Sequence, residues 1–276
     1  MKYKIVADSS ANIYEREGTN YTSVPLKIVT SEREYSDVKG TDIAEMVSYL
    51  KGYKGKSGTS CPNVHDWLEA FEDADLILGV TITSGLSGSY ESAMQAKKIY
   101  ESEHPGANVL IVDSLSAGPE LALIIEKMEE AVKSGQPFDE ITKTITEYCK
   151  KSHLLFALKN LDNLARNGRV SPAAAKIAGI LGIRVVGKAS DEGTLQQLHK
   201  CRGEAQSITC IWDEMKKHGY NGGKVRLAHC FNEQMAKTLS ETVKQSYPNA
   251  DVQITPCTGL CSFYAEEGGL MIGYES

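Results

Sequence analysis

The sequence has 276 residues, of which 41% are hydrophobic, and a formal net charge of −6. This length allows one large domain or two of ordinary size with a sizeable core, and the negative charge argues against a protein that binds nucleic acid or a membrane surface through a basic face. No apolar run reaches the ~18 residues that a membrane-spanning helix needs, so we expect no stable membrane insertion.

The N-terminal residues and the cysteines predict a cytoplasmic protein. The first eight residues become polar too early for a signal peptide. The seven cysteines are an odd number at scattered positions, which is typical of reduced thiols. Cys257 and Cys261 form the only close pair in the sequence, with no second pair or nearby histidine, so we expect no metal site.

The first half of the chain alternates between apolar strands and helices. Strands are predicted over 4–7, 23–30, 33–35, 76–82 and 108–112. Helices are predicted after Asp42, after Pro62, over 88–103 and at about 117–134 and 139–151, while 55–62 is expected to be a loop because it is rich in glycine and serine. This order predicts a doubly wound, mainly parallel sheet with helices on both faces.

The second half predicts another α/β unit with a different sheet. Strands are expected over 153–157, 183–188, 194–200, 224–230, 251–255 and 270–274, and helices over 158–167, 173–181, 203–218 and 233–246. The turn at 191–193 joins two of these strands as a hairpin, which together with the crossover units predicts a mixed sheet. We therefore expect two closely packed domains, 1–150 and 151–276.

Three strands of the first half end in small residues that carry side-chain oxygens. These ends are Asp8-Ser9-Ser10, Thr83-Ser84 and Asp113-Ser114. Because ligands of open parallel sheets bind outside the carboxyl ends of the strands, we expect one crevice shared with Ser87 and Gly88, with Thr59 and Ser60 in a fourth loop. The alternative is that these residues only cap the helices that follow them.

The composition of the central loop limits the ligand of such a crevice. Residues 83–89 contain no Lys or Arg, and the chain has neither of the common glycine-rich phosphate-binding motifs. A singly charged carboxylate or a neutral polyol suits hydroxyl groups and a helix N-terminus better than a polyphosphate does.

A serine hydrolase is a competing hypothesis. Gly85-Leu86-Ser87-Gly88-Ser89 differs from the hydrolase motif Gly-x-Ser-x-Gly by the position of its second glycine. Asp113, followed by His153 or His229, occurs in the order that a catalytic triad would need. However, six histidines in a chain of this length supply such an order by chance.

A set of motifs in a fixed order covers nearly the whole chain. The set comprises Asp8-Ser9-Ser10, Thr59-Ser60-x-Pro62, Ser84-x-Leu86-Ser87-Gly88-Ser89-Tyr90, Val112-Asp113-Ser114, Leu164-x3-Gly168-Arg169-Val170-Ser171, Leu181-Gly182-Ile183, Gly193 with Lys200-x-Arg202, and His229. Each motif is weak alone, but together they are specific. In these motifs the chain resembles the DegV family of bacterial fatty-acid-binding proteins.

The resemblance implies a two-domain fold with one long-chain fatty acid buried between the domains. It implies that hydroxyl and amide groups at Thr59 and Ser87 hold the carboxylate, with Ser60, Ser84 and Gly88 close by and Arg169 in a matching motif. Members of the family present the carboxylate to a separate fatty-acid kinase, which makes the acyl phosphate. The chain has no ATP motif of its own, so we expect a non-catalytic protein whose only bound group is the fatty acid.

The chain departs from the family pattern near its C-terminus. Where the family often has His-x-Gly-Pro-Gly, this sequence has Tyr264 followed by Glu266 and Glu267. A phenol donates a hydrogen bond but does not become cationic near neutral pH. The proline that usually follows Leu181-Gly182-Ile183 is also replaced, by Arg184. A third hypothesis is therefore a divergent binder in which Tyr264 and Glu266 recognise the hydroxyl groups of another small ligand.

Apolar residues cluster at the start of the second predicted domain, as an ordinary core or as the lining of an acyl tunnel. They are Leu154, Leu155, Phe156, Leu158, Leu161, Leu164, Ile177, Ile180, Leu181 and Ile183. Burying ~16 carbons at about 0.8 kcal/mol per methylene group contributes on the order of 10 kcal/mol, enough to retain a fatty acid through purification. Arg166, Arg169 and Arg202 are either salt-bridge partners at the core edge or a surface for an acidic partner protein.

Overall fold

A computed structural model describes residues 2–173, 176 and 182–276 of the chain. In chain order the strands are β1 (Tyr3–Asp8), β2 (Tyr21–Val24), β3 (Lys27–Thr30), β4 (Glu34–Ser36), β5 (Ser57–Ser60), β6 (Leu76–Thr81), β7 (Asn108–Asp113), β8 (Ser152–Leu158), β9 (Ile183–Ala189), β10 (Leu195–Arg202), β11 (Val225–His229), β12 (Val252–Pro256) and β13 (Leu270–Glu275). The helices are α1 (Ile43–Gly52), α2 (Val64–Phe71), α3 (Ser89–Glu103), α4 (Pro119–Lys133), α5 (Phe138–Cys149), α6 (Asp162–Arg166), α7 (Gly203–Lys217), α8 (Glu233–Ser246) and α9 (Gly259–Ala265).

The first sheet, which we call the parallel sheet, has the strand order β2-β1-β6-β7. Ile5 and Ala7 on β1 pack in one apolar cluster with α4 and α5, whereas Val6 packs in another with α2 and α3. β6 is buried along its whole length, as a central strand with helices on both faces must be. The predicted doubly wound arrangement with a mainly parallel sheet is therefore confirmed.

The second sheet, which we call the mixed sheet, has the strand order β10-β9-β8-β13-β11-β12. β11 and β12 are parallel, and the other neighbouring strands are antiparallel. Ile272 on β13 packs toward α7 and α8, whereas Gly273 faces α4, where an added Cβ would lie 2.5 Å from the carbonyl carbon of Pro119. The predicted mixed sheet is thus confirmed, and α4 contacts both this sheet and the parallel sheet.

The third sheet, which we call the small sheet, is antiparallel with the order β4-β3-β5 and corrects two predictions. The loop predicted over 55–62 is wrong in its centre, because residues 57–60 form β5 and pair with β3. The single strand predicted over 23–30 is two strands in different sheets, separated at Pro25, which has no N–H to continue a ladder. Thr59 therefore lies on a strand and not in a loop.

Two helix predictions have other outcomes, and one helix was not predicted. The helix predicted over 158–167 begins only at Asp162, because Leu158 still belongs to β8. Helix α9 was not predicted at all. The helix predicted over 173–181 falls on 174, 175 and 177–181, which lie outside the described residues. The domain boundary near residue 150 coincides with the end of α5 and stays a prediction.

Candidate functional site

Hydrogen bonds join the carboxyl ends of the strands in the parallel sheet. Asp8, which ends β1, accepts hydrogen bonds from the N–H of Ile82 at 2.9 Å and the hydroxyl of Ser89 at 2.6 Å. Asp113, which ends β7, accepts one from the N–H of Ser84 at 3.1 Å. Two strand ends thus hold the loop between β6 and α3, which we call the serine loop (residues 82–88).

A cavity of about 80 Å³ lies beside the serine loop. Its lining contains four of the predicted site residues: Thr59, Ser87, Arg169 and Tyr264. The other three lie next to it but outside its lining: Ser60 ends β5, the N–H of Ser84 is bonded to Asp113, and Gly88 precedes α3. The structure therefore brings the predicted polar residues to one place from distant parts of the chain.

Two hydroxyl groups meet at the polar end of this cavity. The Oγ1 atom of Thr59 on β5 and the Oη atom of Tyr264 on α9 share a hydrogen bond of 2.8 Å. Because two hydroxyl groups carry two protons and the shared bond uses one, a further proton is available to a ligand. Tyr264 is thus a hydrogen-bond donor that is already oriented by Thr59.

Ser87 offers further donors at the start of α3. Its Oγ atom accepts a hydrogen bond from the N–H of Ser89 at 3.3 Å, which leaves the hydroxyl proton unused. Within the described part of the chain, the backbone N–H groups of Ser87 and Gly88 have no acceptor. N–H groups at the start of a helix favour an oxygen with negative charge. The serine loop can therefore donate several hydrogen bonds to a small acidic head group.

Arg169 is the one cationic residue among the described residues that line the cavity. Its Nε atom donates to the carbonyl oxygen of Leu86 at 3.2 Å, and its Nη1 atom donates to that of Asn167. The guanidinium group thus fixes the serine loop, and its charge lies next to the cavity. Neither Arg166 nor Arg202 makes an ion pair with another described residue, so both stay candidates for a partner surface.

Helix α9, which carries Tyr264, is held at its start by the buried carboxylate of Asp37 and at its end by the half-buried carboxylate of Glu266. Asp37 accepts hydrogen bonds from the N–H groups of Gly259 at 2.7 Å and Leu260 at 3.0 Å. At the other end, Glu266 accepts one from the N–H of Asn163 at 3.0 Å. Burial raises the pKa of both carboxyl groups. These contacts fix where the phenol of Tyr264 lies.

Neither Glu266 nor Glu267 lines the cavity, which gives no support to the hypothesis that Glu266 recognises a ligand together with Tyr264. Glu266 is bonded to the loop before α6, and Glu267 pairs with Lys51 at 2.8 Å. Both line a separate groove of about 1260 Å³, to which Ile183 and Arg166 also belong. The negative charge that the sequence places next to Tyr264 therefore faces another part of the surface.

The remaining wall of the cavity is apolar. Of the apolar residues singled out in the sequence, Leu154, Phe156, Leu158 and Leu164 belong to the lining, whereas Ile177, Ile180 and Leu181 lie outside the described residues. The lining also includes apolar residues that were not predicted: Leu26, Ile82, Leu86, Ala117, Leu195, Leu260, Ala265 and Met271. Their spacing along the chain carries no signal, because three sheets and α9 bring them together.

Ser87 lacks the partners of a catalytic triad within the described part of the structure. The carboxylate of Asp113 accepts from backbone N–H groups of Ser84 and Leu115. His153 contacts Ser276 at 2.8 Å, and the Nδ1 atom of His229 accepts from Asn232 at 3.3 Å. The geometry thus gives no support to the hydrolase hypothesis, in which one of these histidines would act as the base.

The described residues offer neither a metal site nor a membrane-spanning helix. They contain no group of three or more His, Cys, Asp or Glu side chains that could hold a metal ion. No helix among them has the length and apolar character needed to cross a membrane. The cysteine thiols at 230, 257 and 261 are buried, and burial raises the pKa of each of them.

The chain is similar to proteins of one family along its entire length. The model of the family described as "Uncharacterised protein, DegV family" matches residues 2–276. A DegV domain-containing protein from Streptococcus pneumoniae is 43% identical, and the match covers 100% of this chain and 99% of the relative.

Solved structures of the same kind carry fatty acids. A DegV family protein from Eubacterium eligens loaded with heptadecanoic acid has a TM-score of 0.97 and 43% identity, with 99% of each chain covered. The Fatty Acid Kinase (Fak) B3 protein of Streptococcus pneumoniae loaded with linoleic acid has the same TM-score and identity, covering 100% of this chain and 99% of that one. On sequence and fold together, the chain belongs to the DegV family.

Proposed function

We propose that this protein binds one long-chain fatty acid in the cavity beside the serine loop and presents its carboxyl group to a fatty-acid kinase. The observation that carries the proposal is a mostly apolar cavity whose lining includes the hydroxyl-bearing residues Thr59, Tyr264 and Ser87. The fatty acids held by two relatives of 43% identity support the same class of ligand.

The donors at the polar end match the two oxygens of a carboxyl group. We propose that the Thr59–Tyr264 pair donates to one oxygen and that the hydroxyl and N–H groups of the serine loop donate to the other. Ser60, Ser84 and Gly88 are proposed to shape this end, and the charge of Arg169 adds to its attraction for an acid. Hydrogen bonds to a charged group contribute about 1.5–3 kcal/mol each, so the head group orients the ligand while the acyl chain supplies most of the affinity.

The cavity lies where two domains would meet. Ser10, Thr59 and Ser87 line it from the first proposed domain, 1–150, and Phe156 and Met271 from the second, 151–276. Pockets for ligands of this size have volumes of roughly 300–1,000 Å³, compared with about 80 Å³ for this cavity. We therefore expect the apolar walls to separate when the acyl chain enters.

We propose that the protein has no catalytic role of its own. Ser87 accepts a hydrogen bond from the N–H of Ser89. The two histidines proposed as its base, His153 and His229, contact other residues. We propose a cytoplasmic carrier that needs no cofactor and leaves phosphoryl transfer to the kinase partner. A fluorophosphonate probe is expected to leave the native protein unlabelled, and labelling lost on Ser87→Ala would favour the hydrolase instead.

The experiment that tests this function measures oleate binding and its use by a kinase. Equilibrium dialysis of delipidated protein with labelled oleate should give one site, weakened about tenfold or more in the double variant Thr59→Val/Ser87→Ala. Thr209→Val and Ser102→Ala, at exposed positions on α7 and α3, serve as matched controls.

The second part of the experiment adds a fatty-acid kinase and ATP. Acyl phosphate should form from oleate only when the native protein is present. Binding of oleate without acyl phosphate formation would remove the kinase partnership and leave the fatty-acid binding. Absence of oleate binding would contradict the proposed function as a whole.

A further inference from the structure

We propose that binding of a fatty-acid anion to this cavity takes up one proton from solvent, which the bound carboxyl group and Asp8 share through the hydroxyl of Ser10. The proposal rests on the proposed function, since it concerns the head group of the same ligand. In the complex, either the head group is the neutral acid and Asp8 is ionised, or the head group is the anion and Asp8 is protonated.

Asp8 is a buried carboxyl group whose partners are all neutral. Its side chain is 0% exposed. It accepts hydrogen bonds from the N–H of Ile82, the hydroxyl of Ser89, and the N–H and hydroxyl of Ser10. No Lys, Arg or His of the described chain forms an ion pair with it. A buried charge of this kind is strongly affected by a second charge placed nearby.

Ser10 connects Asp8 to the cavity. It lines the cavity and is itself 0% exposed. Its single hydroxyl proton is donated to Asp8, so Ser10 offers only lone pairs to a ligand. A protonated carboxyl group can donate to those lone pairs, whereas a carboxylate meets them with lone pairs of its own. The mismatch disappears when one proton is added.

The added proton has two equivalent places. It can reside on the ligand, which then donates to Ser10 while Ser10 donates to Asp8. It can also reside on Asp8, which then donates to Ser10 and leaves the Ser10 hydroxyl free to donate to a carboxylate. Both arrangements contain the same atoms and one proton more than the free protein plus the fatty-acid anion, so the two carboxyl groups titrate as a pair.

The charges around Asp8 favour this uptake. Tyr21 on β2 and Cys261 on α9 interact electrostatically with Asp8, and Asp37 interacts with Cys261. Behind Tyr21 lie the paired charges of Arg16 and Glu129. Arg169 and Tyr264 belong to the cavity lining, as Ser10 does. Burial raises the pKa of Tyr21 and Cys261, which keeps both neutral near pH 7. The ligand therefore brings a second carboxyl group to a place where Asp8 has no cationic hydrogen-bond partner among the described residues.

The hydrogen-bond donors at the serine loop oppose protonation of the head group. The N–H groups of Ser87 and Gly88 and the charge of Arg169 stabilise an anionic head group. This is the reason that the proton is shared and not fixed on the ligand. Burial also raises the pKa of Asp8, which brings its proton affinity closer to that of a buried fatty acid.

Calorimetry of oleate binding tests the proposal directly. The titration uses delipidated full-length protein, oleate below its aggregation concentration, and two buffers of different ionisation enthalpy at each pH from 6 to 9. The free acid is ionised throughout this range. We expect proton uptake that reaches about one per oleate by pH 9, with the affinity falling up to tenfold per pH unit where uptake is complete.

The outcomes of this titration separate the shared proton from the proposed fatty-acid binding. Binding without proton uptake at any pH overturns the shared proton but leaves fatty-acid binding intact, whereas no binding at all contradicts the proposed function. In the variant Asp8→Asn uptake should fall to near zero, and in Asp113→Asn, which changes a carboxylate of the same loop outside the relay, it should persist. Persistent uptake in Asp8→Asn would exclude Asp8 as the partner. If this variant does not fold, the titration of the native protein still decides whether oleate binding takes up a proton.

Discussion

At the scale of single residues, the head-group end of the cavity depends on a pair of hydroxyl groups. Thr59 and Tyr264 are 205 positions apart in the chain and lie 2.8 Å apart between their oxygens. Each hydroxyl orients the other, so the free proton and the free lone pairs point in defined directions. A neutral pair of this kind distinguishes ligands by the geometry of their oxygens more than by their charge.

Removing the phenol oxygen should weaken ligand binding without unfolding the protein. In Tyr264→Phe the ring is kept and one hydrogen bond is lost, so we expect oleate affinity to fall roughly 2- to 10-fold. Tyr49→Phe, which removes a hydroxyl on the surface of α1, is the matched control. Equal affinities of native protein and Tyr264→Phe, measured by calorimetry, would show that the phenol does not touch the head group.

At the scale of elements, helix α9 links the cavity to the small sheet and to the region of α6. Asp37 caps its first turn, and Tyr14 donates a hydrogen bond of 2.5 Å to the same carboxylate. The side chain of Asp37 is 1% exposed, so its acceptors cannot be replaced by water. The position of α9 is therefore fixed by residues from the other end of the chain.

Changing this cap should affect stability and binding together. Asn has one acceptor oxygen where Asp37 uses two, so Asp37→Asn leaves a buried N–H group unpaired and should reduce the free energy of unfolding by about 1–3 kcal/mol. The matched control is Asp42→Asn, at the exposed cap of α1, where one oxygen suffices. We expect a melting temperature lower by several degrees and weaker oleate binding in Asp37→Asn only; similar melting curves for the two variants would contradict this role.

The tip of the hairpin formed by β9 and β10 contacts the serine loop. The hydroxyl of Thr83 donates to the carbonyl oxygen of Gly193 at 2.8 Å. Gly193 has φ +72°, and a Cβ added to it would lie 2.1 Å from the hydroxyl oxygen of Thr83. The hairpin therefore needs glycine both for its backbone conformation and for this close approach.

A methyl group at this tip should displace the serine loop. Gly193→Ala and Gly135→Ala both place alanine at a positive φ, but nothing lies within 4 Å of a Cβ at Gly135. Both variants should lose about 1 kcal/mol of stability from the backbone conformation. Only Gly193→Ala should also weaken oleate binding severalfold, and equal oleate affinities of the two variants would show that the hairpin does not support the site.

The elements that could be predicted from the sequence are those with local signals. The apolar runs of β1, β6 and β7 and the hairpin turn at Gly193 were recognised because burial on two faces and turn chemistry leave a pattern in neighbouring residues. Helix α9 has no such pattern, since its capping carboxylate is Asp37, 222 positions earlier in the chain. β5 was missed for a similar reason, because pairing with β3 decides its conformation.

The residues of the site also divide into those with a local sequence signal and those without one. Thr59 and Ser87 were predicted from motifs, and the cavity contains both. The apolar wall formed by Leu26, Leu260 and Met271 was not predicted, because these residues meet only through the packing of separate sheets. The hypothesis that Glu266 acts with Tyr264 on a ligand finds no support, because Glu266 accepts a hydrogen bond from Asn163 and does not line the cavity.

At the scale of the whole molecule, α4 joins the parallel sheet to the mixed sheet. Glu120 in its first turn is 4% exposed and accepts hydrogen bonds from the hydroxyls of Ser116 at 2.5 Å and Ser152 at 2.9 Å. Burial without a cation raises the pKa of this carboxyl group from 4.5 to about 7. The junction between the sheets therefore prefers the protonated form.

This preference predicts how stability changes with pH. Between pH 4.5 and 7 the folded protein binds a proton at Glu120 that the unfolded chain releases, so the contribution of this group is fully present below pH 4.5 and is lost as pH rises through 7. The native protein should lose roughly 3 kcal/mol relative to Glu120→Gln across this range, measured by urea denaturation. Glu241→Gln, at an exposed position on α8, is the control. A pH-independent difference between native protein and Glu120→Gln would contradict the assignment.

The account as a whole depends on a fatty acid held between the parallel and mixed sheets. Native mass spectrometry of the protein purified from a heterologous host without added lipid tests this most directly. The measured mass should exceed that of the polypeptide by one fatty acid of ~14–18 carbons, because burial of such a chain contributes on the order of 10 kcal/mol. A mass equal to the bare polypeptide, unchanged after incubation with oleate or palmitate, would contradict the central claim.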